Sequence, residues 1–167
     1  MHTGLYVIMG VSGSGKTTIG TALARALDVP FVEGDQLHPR ANVERMARGI
    51  PLTDEDRQPW LIAIAQRLQE ADRTGSGLVI ACSALKRSYR DLLRSRGSAK
   101  ICFVYLRGGQ SLVADRLQGR HGHFMPASLL ESQFAALEEP DPREHVLVCD
   151  IGETPTAIVD SLVQHVT

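Results

Sequence analysis

The chain has 167 residues, 43% of them hydrophobic, with a formal net charge of −1. That length and apolar content suit one domain with a proper core, and the near-neutral balance excludes a broad polyanion-binding surface, so no nucleic-acid partner is expected. The N-terminus lacks a signal-peptide pattern, no apolar run approaches the roughly 20 residues that span a bilayer, and Cys82, Cys102 and Cys149 have no C-x-x-C spacing, which argues for free thiols in a cytoplasmic protein without a membrane partner.

The first β-prone run is Leu5-Tyr6-Val7-Ile8-Met9. It leads directly into Gly10-Val11-Ser12-Gly13-Ser14-Gly15-Lys16-Thr17, a full match to the phosphate-cradling pattern G-x-x-x-x-G-K-[ST]. Behind it Ile19, Leu23 and Leu27 recur every fourth residue, with Ala22 and Ala26 alongside, as on one face of a helix. The loop therefore joins a buried strand to a helix N-terminus, where unpaired N–H groups and the helix dipole favour an anion. The expected nucleotide-binding set is Gly10, Val11, Ser12, Gly13, Ser14, Gly15, Lys16, Thr17 and Thr18. Within it Lys16 would hold the β- and γ-phosphates and the Thr17 hydroxyl would ligate Mg²⁺.

Four more β-prone runs follow, Pro30–Glu33, Leu78–Cys82, Lys100–Leu106 and Val146–Cys149. Helical patterns separate them, which predicts a parallel sheet covered on both faces. Residues 34–76 are too long for a simple crossover and predict a two-piece helical subdomain over the sheet edge. Within it Thr53-Asp54-Glu55-Asp56 reads as a capping box ahead of Trp60, Ile64 and Leu68. Pro59 is expected to hold residues 54–57 to a short turn, with the regular helix starting at about residue 58. Gly97 closes a helix carrying Tyr89, Leu92 and Leu93. Residues 119–126, Gly-Arg-His-Gly-His-Phe-Met-Pro, have the composition of a mobile lid. Pro140 ends the stretch with Leu130, Phe134 and Leu137, and Thr154-Pro155 opens a last helix. One domain over residues 1–167 is expected.

A phosphate loop implies a nucleotide, and the acceptor side must be argued separately. Asp35 directly follows the second strand, and ligands of open α/β sheets bind beyond the carboxyl ends of strands. A carboxylate there can orient an acceptor hydroxyl or take its proton, and Glu33 could hold Mg²⁺ through water. Ser83, Lys86 and Arg90 follow the third strand. The two cations are four residues apart, hence on one helix face, and read equally as an anion clamp or a solvated basic face. Arg116 and Arg120 have the same spacing at the edge of the expected lid and suit the charge of a triphosphate. His121-Gly122-His123 lacks companion ligands and reads as loop, not metal site. Arg45, Arg48 and Arg57 would suit an anionic acceptor, or merely pair with the acids around them. Trp60 reads as core.

Taken together these residues resemble the gluconate kinase (gluconokinase) family, small P-loop kinases related to shikimate kinase. The resemblance rests on Gly10–Thr18, on Leu37-His38-Pro39 with Asn42, on Asp56-Arg57-x-Pro59-Trp60, on Cys82-Ser83-Ala84-Leu85-Lys86 with Tyr89-Arg90-Asp91, and on His123-Phe124-Met125 with Gln133-Phe134. It implies ATP- and Mg²⁺-dependent phosphorylation of D-gluconate to 6-phospho-D-gluconate, by a homodimer. It also implies a three-layer α/β/α P-loop fold with a five-stranded parallel sheet of order 2-3-1-4-5, a helical substrate subdomain and a lid. By that resemblance Lys16, Asp35 and Arg120 are catalytic, and Asp35, His38, Arg57, Ser83, Lys86 and Arg90 meet the sugar acid. Arg116 and Pro155 join the nucleotide set. Glu33 departs from the Asp more common in such kinases. The competing readings are a kinase for another small acid or nucleotide, such as shikimate, and a nucleotide-binding module that transfers nothing.

Overall fold

The computed structural model describes residues 2–118 and 127–167. Five strands, β1 (Leu5–Met9), β2 (Phe31–Glu33), β3 (Leu78–Ala81), β4 (Ile101–Arg107) and β5 (Leu147–Asp150), form one parallel sheet of order β2-β3-β1-β4-β5. This is the sheet order expected for a P-loop kinase. The strands fall within one residue of the runs read from the sequence, because continuous apolar stretches mark strands buried on both faces.

The helices are α1 (Lys16–Leu27), α2 (Arg40–Ala47), α3 (Asp54–Thr74), α4 (Arg87–Arg96), α5 (Gln110–Gln118), α6 (Ala127–Ala136) and α7 (Pro155–Val166). They cover the sheet on two sides. Side chains alternate across a strand, and β1 shows the consequence. Tyr6 and Ile8 pack with Leu23, Leu130 and Ile158 of α1, α6 and α7. Leu5, Val7 and Met9 pack with Trp60, Ile64 and Leu93 of α3 and α4. In α1 the buried alanine is Ala24, and Ala26 faces solvent. Among the described residues no helix is long and apolar enough to cross a membrane.

The expected break at Pro59 does not occur. A single helix, α3, runs from Asp54 through Thr74 with Pro59 inside it. The capping box is present, with Thr53 Oγ1 accepting from the Asp56 amide and Asp56 Oδ2 accepting from the Thr53 amide, both at 3.0 Å. A proline this near the start forfeits one amide bond, to the carbonyl of solvent-exposed Glu55. The burial of Trp60, Leu61, Ile64 and Leu68 immediately after it outweighs that loss.

A second correction concerns Arg90. Its side chain is fully buried and does not line a substrate pocket. Its Nε and Nη2 form a fork on Glu144 at 2.9 and 3.0 Å. Nη1 donates to the carbonyls of Ala84 and Leu85, and Nη2 also to that of Glu138. All five guanidinium N–H groups are thereby used. Lys86 precedes α4 as its N-cap, so the four-residue spacing does not put the two cations to one use.

Removing Arg90 leaves Glu144 charged at a site where its side chain is only 2% exposed. Arg90→Ala is expected to cost about 3–5 kcal/mol in urea unfolding. Hydrogen bonds from Arg90 hold the Glu144 carboxyl down to about 2 from an ordinary value of 4.5, against the opposing effect of burial. The ionised form is therefore the one folding favours, and its contribution is complete above about pH 4.5 and fades as pH falls toward about 2. The stability lost in Glu144→Gln should accordingly be constant near neutrality and shrink through that acid window.

Candidate active site

The phosphate loop takes its shape from its glycines and from ties to the elements around it. Gly15 is the N-cap of α1 in the left-handed region, at φ 101°. Gly13 is left-handed too, at φ 83°, and a Cβ there would sit 2.8 Å from Cγ of Leu117. The loop thus lies directly on α5, and only glycine fits. The Gly10 amide donates to the Ser83 carbonyl at 3.2 Å, tying the loop to the end of β3. Lys16 Nζ donates to the carbonyls of Gly10 and Val11 at 3.1 and 2.9 Å. From α6, Gln133 Oε1 accepts from the Ser12 amide at 2.7 Å, and Gln133 Nε2 donates to Ser12 Oγ at 3.1 Å.

Two cavities meet at this loop. One, of about 290 Å³, is lined by Gly13, Gly15, Thr18, Arg116, Ile151 and Pro155 among others. Arg116 is steadied there by donating to the Ile151 carbonyl. This cavity has the apolar walls and single cation that suit a nucleoside. The other, of about 430 Å³, is lined by Ser12, Gly13, Gly15, Lys16, Thr17, Glu33, Asp35 and Gln36. The Thr17 hydroxyl donates to the Glu33 carboxylate. These are hard oxygen donors beside the phosphate loop, and they fit a magnesium ion. The longer side chain of Glu33 does reach the residue expected to ligate the metal.

Asp35 is exposed in a short 3-10 turn, Gly34–Leu37, at the carboxyl end of β2. Gly34 brings the chain so close to β3 that a Cβ would lie 2.1 Å from the Ala81 carbonyl oxygen. Trp60 Nε1 donates to the Gly34 carbonyl at 2.8 Å. The His38 ring stacks on the Trp60 indole at 4.2 Å and 12°. Trp60 is therefore core, as read from the sequence, and also the platform for a polar ring. Burial pushes the His38 imidazole down to about 4, with the Asp35 charge opposing and the Arg57 charge assisting.

Beyond His38 the polar strip continues. Arg57 donates to the Leu52 carbonyl at 2.7 Å and to the Tyr89 hydroxyl at 3.2 Å. Tyr89 donates to Asp54, and Lys86 pairs with the same carboxylate at 2.9 Å. These two donors hold the Asp54 carboxyl below its ordinary value. The strip from the phosphate loop thus reads Asp35, His38, Arg57, Tyr89 and Lys86. Ser83 enters through its carbonyl on Gly10. Arg120, and the lid expected at 119–126, lie outside the described residues. Sequence reasoning missed the roles of Gln133 and Tyr89, which only the resembling stretches marked, and read Asp54 merely as part of a helix cap, because their contacts join elements far apart in the chain.

A model of the AAA domain family matches residues 5–140. The gluconokinase of Gluconobacter oxydans (strain 621H) is 51% identical over 159 residues, covering 95% of this chain and 89% of that protein. The thermoresistant gluconokinase of Escherichia coli (strain K12) is 45% identical over 161 residues, covering 96% and 91%. The crystal structure of a gluconokinase from Sinorhizobium meliloti 1021 superposes with a TM-score of 0.89 at 45% identity, covering 99% of this chain and 92% of that one. Identity at this level over nearly the whole chain, joined to the phosphate loop and sheet order above, means that the chain belongs to the gluconokinase family.

Proposed function

We propose that this chain transfers the γ-phosphoryl group of ATP to the terminal hydroxyl of D-gluconate, giving ADP and 6-phospho-D-gluconate. The observation that carries the reading is one cavity walled by both Lys16 of the phosphate loop and the Asp35 carboxylate, in a chain half identical to a gluconokinase. The nucleoside would occupy the cavity of Arg116 and Pro155, with the triphosphate along residues 10–18 and Lys16 on its outer phosphates. Asp35 would orient the acceptor hydroxyl and receive its proton as the new P–O bond forms and the bond to ADP breaks. Thr17, with Glu33 behind it, would hold Mg²⁺. When bound, that ion neutralises charge on the β- and γ-phosphates.

Gluconate is a chain with a hydroxyl at one end and a carboxylate at the other. With its hydroxyl at Asp35, its length would run past His38 toward Arg57, Tyr89 and Lys86. His38, kept neutral by burial, offers a hydrogen bond there without a charge that would compete for the carboxylate. At the far end, donors of the type a carboxylate needs already hold one, that of Asp54. Arg120 is assigned to the transferring phosphoryl on its position in the sequence. A homodimer, on the family resemblance, acting in the cytoplasm, on the thiol and N-terminal composition, completes the reading.

ADP release measured with gluconate, with shikimate, with a nucleoside monophosphate and with no acceptor tests the whole reading. Gluconate is expected to be the strong acceptor, and release that is independent of any acceptor would overturn it. Asp35→Asn should lower kcat by about 10²- to 10⁴-fold while the KM for ATP changes by no more than about threefold. In an NMR titration the His38 ring should take up its proton near pH 4, well below an ordinary histidine at 6.5, and kcat/KM for gluconate should carry no His38 step near neutrality.

A further inference from the structure

The amide of Gln133 can be oriented in only one way. Its partner on one side is the Ser12 backbone N–H, which can only donate, so Oε1 must face it. Nε2 is then forced toward Ser12 Oγ, where it donates at 3.1 Å. This assignment follows from the hydrogen-bond network and does not depend on telling nitrogen from oxygen by position. A hydroxyl has one proton and two lone pairs. With a lone pair of Ser12 Oγ taken by Gln133, the Ser12 proton is left to donate elsewhere. Ser12 lines the cavity that also holds Lys16, Thr17 and Asp35.

We propose that the Ser12 hydroxyl donates a hydrogen bond to the phosphoryl group in transfer, and that Gln133 is the positioning residue that polarises the hydroxyl for this task. The inference rests on the phosphoryl-transfer reading above and adds a side-chain donor to the main-chain amides of the loop. Gln133 does two things at once. It removes the Ser12 amide from competition by giving it an acceptor, and it fixes which way the hydroxyl proton points. Preorganised donors of this kind act where charge develops and need no reorientation during the reaction. Gln133 itself is about a helix turn past Leu129 and Leu130, both buried, so it projects from a helix face anchored in the core.

The test is a double-substitution cycle, run with whichever acceptor the parent enzyme phosphorylates. An absence of any acceptor in the parent would defeat the kinase reading, separately from this inference. Ser12→Ala is expected to lower kcat by about 10- to 100-fold with the KM for ATP changed by less than about threefold. Gln133→Glu keeps an acceptor for the Ser12 amide, but its second oxygen now draws the Ser12 proton to itself. It should lower kcat to a similar degree, with the melting temperature within about 2 °C of the parent. In the Ser12→Ala background, Gln133→Glu should cost less than about threefold more, because the proton it would divert is already gone. A Ser12→Ala kcat within about twofold of the parent, or losses that simply multiply in the double variant, would overturn the proposal. A purely structural Gln133 would lower the melting temperature and raise the KM for ATP independently of Ser12, and that result would overturn it too.

Discussion

A loop of backbone amides can hold a triphosphate only if something other than the phosphate fixes the direction of those amides. Without such support the chain would lose conformational entropy on binding, and much of the electrostatic gain would be consumed in ordering it. Here the support comes from three sides. The Gly10 amide is tied to the end of β3 through Ser83. Gly13 lies on Leu117 of α5. Ser12 is held twice by Gln133 of α6. Each tie requires its element to be docked, so the shape of the loop follows from the packing of the sheet and its helices. The buried β1, whose alternate residues enter the two opposite cores, sets the height at which the loop emerges.

The turn that carries Asp35 obeys a related constraint. Asp35 shares a cavity with the loop yet is exposed to solvent, so the backbone that carries it must be held in place. Gly34 meets this by pressing against the Ala81 carbonyl at a distance no side chain allows. Trp60 then pins the same residue through its indole N–H and carries the His38 ring on its face. One buried aromatic residue therefore fixes two consecutive polar features. Its burial also explains the depressed His38 imidazole, since a ring stacked on indole and withdrawn from water is costly to charge.

The strands were legible because buried parallel strands are continuous apolar runs, the phosphate loop because its glycines and Lys16 form a local pattern, and the sheet order only through the family resemblance. Asp35 was legible from topology, by following β2. Other features are not local. Pro59 argued for a helix start near residue 58, yet packing of Trp60 and its neighbours carried α3 back to Asp54. Gln133 and Ser12 are separated by 121 positions, and no periodicity connects them. The Tyr89–Asp54 contact likewise joins two helices that only the fold brings together.

Lys86 and Arg90 show why spacing alone could not decide their roles. Both are cations, four residues apart, after the same strand. Lys86 is partly exposed and meets a carboxylate that is 61% exposed, and ion pairs of that kind contribute little to stability, so one carboxylate can replace another there at small cost. Arg90 is sealed from solvent on a carboxylate that is equally sealed, where exchange is prohibitive. The sealed residue still serves the exposed one. Its guanidinium grips the carbonyls of Ala84 and Leu85, the two residues between Ser83, which holds the phosphate loop, and Lys86. Arg90 thereby fixes the backbone that joins the tie to the phosphate loop at Ser83 to Lys86. Burial, and not sequence position, separates the cation that can meet a ligand from the one that holds it in place.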